Sequence, residues 1–208
     1  MLDSETNLMA FINLYDGTED QKYGRALRRA FTEIRKYQDL SVSTTPGGIH
    51  IPSYSFVKNL ESRAHNPERN QVHLSRLLNG FLYNSNKDRR GQLSFILTES
   101  DLYDNGLNWC FGKLTPDTKG GAHIIMSTNH VNSSRTLAHL ATHEFGHMFS
   151  AASRGRSNTE ENLGSHCTNL CVMQQQVEVS DMDDLAMRLK SRDDKFCYQC
   201  QDELRRYR

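Results

Sequence analysis

Two histidines four residues apart, with a glutamate directly after the first, stand at His143-Glu144-Phe145-Gly146-His147. On a helix, residues i and i+4 share one face, one turn apart. Two imidazoles so placed can reach a single zinc ion at about 2.0–2.1 Å. The glutamate then projects beside the ion, where a carboxylate can hold a water molecule and take its proton. The pattern therefore demands a helix here. It also demands a fold that turns this face of the helix toward an open cleft.

A catalytic zinc takes three protein ligands and keeps one position open. His166 is the chosen third ligand, because it follows a long polar stretch and directly precedes Cys167. Glu160 and Glu161 stay open as alternatives, since a downstream glutamate can also serve. His139 stands four residues before His143 and shares its helical face, but it and His130 read first as packing or surface histidines.

A second cluster is Cys167-x-x-x-Cys171 with Cys197-x-x-Cys200. Two close pairs suit a tetrahedral four-thiolate zinc site, which is closed and structural. The plain alternative is four reduced core cysteines. A structural zinc is worth on the order of 10 kcal/mol in small peptides, so it would staple the C-terminal segment onto the domain. Two zinc ions per chain are thus expected, one catalytic and one structural. Cys110 is expected to be a buried thiol. Met173 reads either as a packing element beneath the histidine site, not a ligand, or as ordinary core filler.

The 208 residues suffice for one sizeable core or two small domains. The 25 basic and 25 acidic residues cancel, which leaves no basic excess of the kind nucleic-acid binders carry. The run Arg25 to Lys36 reads as a solvated helix face. The opening Met1-Leu2-Asp3-Ser4-Glu5 is acidic where a secretory signal would be basic, and no apolar run is long enough to span a membrane. The expectation is a cytoplasmic monomer, with a peptide or protein substrate and neither nucleic acid nor membrane as partner. In that reducing compartment, near-neighbour cysteines read as metal ligands before disulfides.

Periodicity places an amphipathic helix from about Glu19 to Tyr37 and a second over roughly Val72 to Leu82. Ser41 to Gly48 reads as a loop, and Ile49 to Val57 as a short strand. Further strands are expected at Gln92–Leu97, Leu107–Lys113 and Gly120–Thr128. Asn132, Ser133 or Ser134 can cap the helix carrying His143, which runs to about Ala151, and Ser153 to Ser165 reads as a loop. Elements alternating without a strict repeat suggest a mixed α/β sheet. The substrate is expected to add as a strand along His123, Ile124, Ile125, Met126 and Ser127, just before that helix.

Taken together, His143-Glu144-x-x-His147, His166-Cys167, Cys171-Val172-Met173 and Cys197-Tyr198-Gln199-Cys200 resemble the archaemetzincin family of zinc peptidases. Upstream, Thr98, Asp101-Leu102-Tyr103 and Leu107-Asn108-Trp109-Cys110-Phe111-Gly112 are similar to that family's strands. The resemblance covers roughly residues 48 to 200. It implies a zincin-like fold of class α/β (α+β), with a mixed twisted sheet, an active-site helix and a small zinc-stapled C-terminal part. It also implies that three histidines bind the catalytic zinc, that Glu144 is the base, that the four cysteines bind a second zinc, and that Met173 forms the turn under the metal. The layout expected is one domain: a helical segment over 1–47, sheet and active-site helix over 48–152, and an inserted loop with the cysteine site over 153–208.

Two departures from the family stand out. The third histidine normally lies ten residues after the first, a position held here by Ser153, and Ser150 holds the place of the usual glycine. His166 comes 13 residues later than that pattern, and three residues rather than the usual four separate Cys167 from Cys171. The extra stretch, Ser153 to Ser165, is expected to form a lid or specificity loop. The reading from a different class is a catalytically inactive, zinc-stabilised binding module; the retained Glu144 argues against it, because a purely structural ion needs no base.

Overall fold

The computed structural model describes residues 12–18, 23–38, 54–85, 93–116, 121–131, 133–162, 164–175 and 178–206. The loop expected over Ser41–Gly48 lies outside them, as do residues 19–22 of the first helix and 49–53 of the expected strand.

Three strands, β1 (Ile12–Asp16), β4 (Leu93–Thr98) and β8 (Ala122–Ser127), run parallel in the order β1-β4-β8, and β7 (Gly112–Pro116) closes the sheet antiparallel to β8. All six residues of β4 are buried. A strand reads as continuously buried when both faces are covered, and the two covers are separate here. Leu93, Phe95, Leu97, Ile124 and Met126 face α1 (Gly24–Ile34) and α4 (Ser134–Met148). Ile96 and Ile125 face α2 (Tyr54–Ala64) and α3 (Leu74–Ser85). The period of two along each strand divides the side chains between these layers.

The helices form where their apolar residues recur on one face. In α1, Ala26, Leu27, Ala30, Phe31 and Ile34 are buried. Phe31 meets Phe145 of α4 at 4.6 Å between centroids, and Phe95 of β4 meets it from the sheet at 4.8 Å. Helix α4 starts at Ser133, whose hydroxyl accepts from the Thr136 amide at 3.0 Å. Such a cap satisfies one of the amides that a helix start leaves free.

A smaller sheet, β2 (His65–Asn66), β3 (Gln71–His73), β5 (Leu102–Asp104) and β6 (Leu107–Cys110), lies beside α2 and α3. The C-terminal part contains the hairpin β9 (Thr159–Glu161) with β10 (Ser165–Cys167), then α5 (Val179–Arg188) and α6 (Tyr198–Arg206). Among the described residues no helix is long and apolar enough to cross a membrane.

Four expectations are corrected. Residues 54–57 are helical rather than a strand, because Val57, Leu60 and Ala64 recur at helical spacing and bury against Leu77 and Phe81. The second helix begins at Leu74, since Gln71–His73 pair with β2 and β5. Leu107–Lys113 is two strands in two different sheets, parted at Phe111. The stretch 153–165 is not merely a loop: Thr159–Glu161 pair with Ser165–Cys167.

Candidate functional site

Helix α4 carries His143 and His147 on one face, and β10 brings His166 against them. One donor atom from each lies within 4.8 Å of the others. The Nε2 atoms of His143 and His147 are 3.0 Å apart. Two nitrogens sharing a tetrahedral zinc sit roughly 3.3 Å apart, so the residues present fit the ion. The His143 Nδ1 donates to the Val172 carbonyl at 2.8 Å, which leaves the Nε2 lone pair facing the cluster.

Electrostatics favour the same outcome. Burial, then the neighbouring His147 and His166, holds the His143 imidazole well below its ordinary value. Burial and His166 pull His147 down to about 4, and burial lowers His166 as well. All three rings are neutral at physiological pH, the form that ligates a cation. Burial alone lifts the Glu144 carboxyl to about 7. Glu144 faces the same cleft but lies outside the set of donor atoms.

The cleft has a volume of about 1000 Å³. His139, His143, Glu144 and His147 form one side, and Gly112, Lys113 and Leu114 of β7 form another. The strand expected to receive substrate is not available for that role. His123 to Ser127 pair with β4 on one side and β7 on the other, so no backbone edge is free there. Among the described residues the outer edge of this sheet on the cleft side is β7.

The sulfurs of Cys167, Cys171, Cys197 and Cys200 also lie within 4.8 Å of one another. Cys167 and Cys197 are 3.6 Å apart, far beyond a disulfide bond, and all four are free. Each sulfur faces a nitrogen donor. Cys171 receives the amides of Cys197 at 3.2 Å and Met173 at 3.5 Å. Cys200 receives Arg156 at 3.3 Å, Cys197 receives Asn169 at 3.5 Å, and Cys167 receives the Asn158 amide at 3.9 Å. Donors aimed at sulfur stabilise the thiolate form that binds metal. Hydrogen bonds among the four sulfurs divide them: the Cys167 and Cys197 thiols are pulled down, and those of Cys171 and Cys200 are pushed up.

Met173 is fully buried beneath α4. A Cβ added at Gly146 would overlap Met173 Sδ and stand 3.0 Å from Phe196 Cε1, which is why the helix has glycine at that turn. Glu160 and Glu161 are exposed on β9 and stand outside the histidine cluster. His139 is buried beside the cleft, and His130 pairs with Asp101 at 2.9 Å. Cys110 is only part-buried and borders the cleft.

Several participants escaped the sequence reading: the Val172 carbonyl, Arg156, Asn158, Asn169 and the edge strand β7. A backbone carbonyl leaves no residue-type signal at all. The polar side chains look like ordinary surface residues until the chain folds them onto sulfur.

The family model Reprolysin_5, metallo-peptidase family M12, matches residues 11–183. Archaemetzincin from Nanoarchaeum equitans is 30% identical over 141 residues, which cover 68% of this chain and 66% of that relative, so the match spans just under two thirds of its length. Archaemetzincin from Methanopyrus kandleri superposes with a TM-score of 0.64 at 18% identity, covering 99% of this chain and 98% of that one. Archaemetzincin from Archaeoglobus fulgidus, solved with malonate, gives 0.57 at 20% identity over 93% and 99% of the two chains. A zinc-dependent peptidase from Methanocorpusculum labreanum gives 0.58 at 18% identity over 94% and 100%. These superpositions speak to the fold, and the family model speaks to descent over most of the sequence. With the three histidines assembled beside one cleft, the chain belongs to metallo-peptidase family M12, and the relatives it resembles are archaemetzincins.

Proposed function

We propose that this chain hydrolyses peptide bonds, with His143, His147 and His166 as ligands of a catalytic zinc and Glu144 as general base. The observation that carries the reading is the convergence of three neutral imidazoles and a buried carboxylate on one open cleft. Zinc bound there supplies Lewis acidity and lowers the pKa of water in its open position from 15.7 to about 7.

The chain's own residues supply the rest. The Val172 carbonyl orients His143, and burial keeps the rings uncharged. A carboxylate with raised proton affinity, such as Glu144, takes a proton from the attacking water and returns it to the leaving amine. The peptide adds along β7, the edge strand bordering the cleft, through backbone hydrogen bonds. Cys167, Cys171, Cys197 and Cys200 hold a second, structural zinc.

Metal analysis and a peptide-library digest read by mass spectrometry test this reading. Two zinc ions per chain and defined cleavage products are expected. His166→Ala is expected to remove one ion and the cleavage together. Full occupancy after that substitution would reject His166 as the third ligand. A zinc-loaded chain that cleaves nothing in the library would reject the enzymatic reading in favour of a binding module.

A further inference from the structure

The 13 extra residues between α4 and His166 pose a mechanical problem. The third ligand arrives on a longer tether than the family's spacing provides, and longer tethers hold their ends less firmly. This chain solves the problem with side chains that are not themselves ligands in either cluster.

The chain leaves α4 through two left-handed residues that are not glycine, Ser150 at φ 60° and Ala152 at φ 57°. Such backbone persists only where its surroundings over-determine it. At Ser150 the amide bonds back to the His147 carbonyl at 3.1 Å, and at Ala152 the determinant is Glu203, on α6. Its carboxylate accepts from the Ala152 amide at 2.9 Å, from the Ser153 amide at 3.2 Å and from the Ser153 hydroxyl. Ser153 thus fills the family's third-histidine position as a tether point.

Arg156 continues the chain of contacts. One guanidinium nitrogen bonds Glu203 at 2.6 Å, and another reaches Cys200 Sγ at 3.3 Å. Both side chains of the ion pair are largely out of solvent, 14% and 16% exposed, so the pair is less screened than a surface one. The Arg156 carbonyl then accepts from the Thr159 amide at 3.2 Å, and Asn158 accepts from the Thr168 amide at 2.9 Å. Between these anchors runs the β9–β10 hairpin, with His166 paired to Glu160. The hairpin ends where neighbouring residues, His166 and Cys167, join different clusters.

We propose that Arg156 and Glu203 are positioning residues: they turn the 151–165 segment into a brace between the two clusters, so that filling the four thiolates raises the affinity of the three imidazoles for their ion. This rests on the ligand sets proposed above. It also replaces the lid expected from the sequence with a strut, since among the described residues of the segment both ends and the middle are pinned. Coupling between two binding sites is reciprocal, so filling the imidazoles strengthens the thiolate site by the same factor.

Cobalt(II) substitution tests it, because cobalt on thiolates gives strong ultraviolet charge-transfer and visible bands while cobalt on imidazoles gives only weak visible bands, seen alone once cadmium occupies the thiolates. Each site is read separately during competition with a chelator. In the wild-type chain the imidazole site is expected to bind cobalt more tightly after cadmium has filled the thiolates. Glu203→Ala touches no sulfur, and it is expected to weaken the imidazole site by about 10–100-fold, the usual cost of losing an outer partner, and to erase the cadmium effect. Arg156→Lys, which keeps the charge, is expected to retain part of the coupling that Arg156→Met abolishes. If Glu203→Ala fails to fold, Glu203→Gln, with its neutral acceptor, takes its place.

Equal imidazole-site affinity in wild type and Glu203→Ala, or no cadmium effect in wild type, overturns the brace. A wild-type chain whose thiolates hold cadmium and which then shows no visible cobalt bands overturns the histidine site itself, a distinct result.

Discussion

The two clusters lie one residue apart along the chain at His166 and Cys167, yet they are built for opposite ends. The histidine cluster borders a cleft of about 1000 Å³ and has an acid–base group beside it. The cysteine cluster is buried within the main core, and none of its four residues borders that cleft. Each of its sulfurs already has a nitrogen donor. An ion held on every side by protein can only hold structure together, whereas one left a free position can act on a substrate. Ligand type alone does not separate these roles as sharply as the space around the ligands does.

The comparison breaks first at the thiolates. Cys171→Ser is expected to remove one ion per chain and with it a contribution on the order of 10 kcal/mol, seen as a collapse of the thermal unfolding midpoint. Retained stability with one ion fewer would mean the core holds the C-terminal part unaided. Next comes the open site. Glu144→Ala is expected to lower peptide cleavage by about 10²–10⁴-fold while metal content stays unchanged, because Glu144 is not among the cluster's donors. Lost zinc in that variant would make Glu144 a ligand and dissolve the distinction between base and donor.

Smaller effects sharpen the joint between the two sites. Gly146→Ala drives a methyl group into Met173, which is fully buried, and is expected to cost about 1–3 kcal/mol by thermal unfolding. Adding Met173→Ala should return part of that loss, as neighbours in contact are not additive. An unaffected midpoint would show that the floor beneath the histidines is soft. Ser150→Gly relieves a left-handed residue at the exit from α4 and is expected to stabilise by about 1 kcal/mol. That corresponds to a midpoint shift of about 2–4 °C for a chain of this size. A lower midpoint would mean that the serine is stabilised by contacts absent from its backbone geometry.

Legibility in the sequence followed the range of the interaction. The central strands could be read because Leu93, Phe95 and Leu97 alternate, as do Ile124 and Met126 with Ile125, and the folded layers keep that division. β1 gave no comparable signal, being five residues that make sense as a strand only against β4. Tyr54 to Val57 looked like a strand because aromatic and β-branched residues favour strands locally; packing against α3 made them helical. His123 to Ser127 looked like a substrate strand for its place in the chain, but which strand is an edge depends on how β4 and β7 pair around it, and strand periodicity does not record that.

By itself, the sequence determined the helical pair His143 and His147 with Glu144 beside them, and the paired spacing of the cysteines. Backbone geometry within one turn or one short loop places such groups without outside help. Tertiary structure alone decided that β7 is the free edge, that Gly146 yields to Met173, and that Glu203 and Arg156 clasp the longer tether. Those outcomes depend on groups up to 51 positions apart in the chain, whose meeting is set by the packing of the whole core and leaves no mark in local spacing.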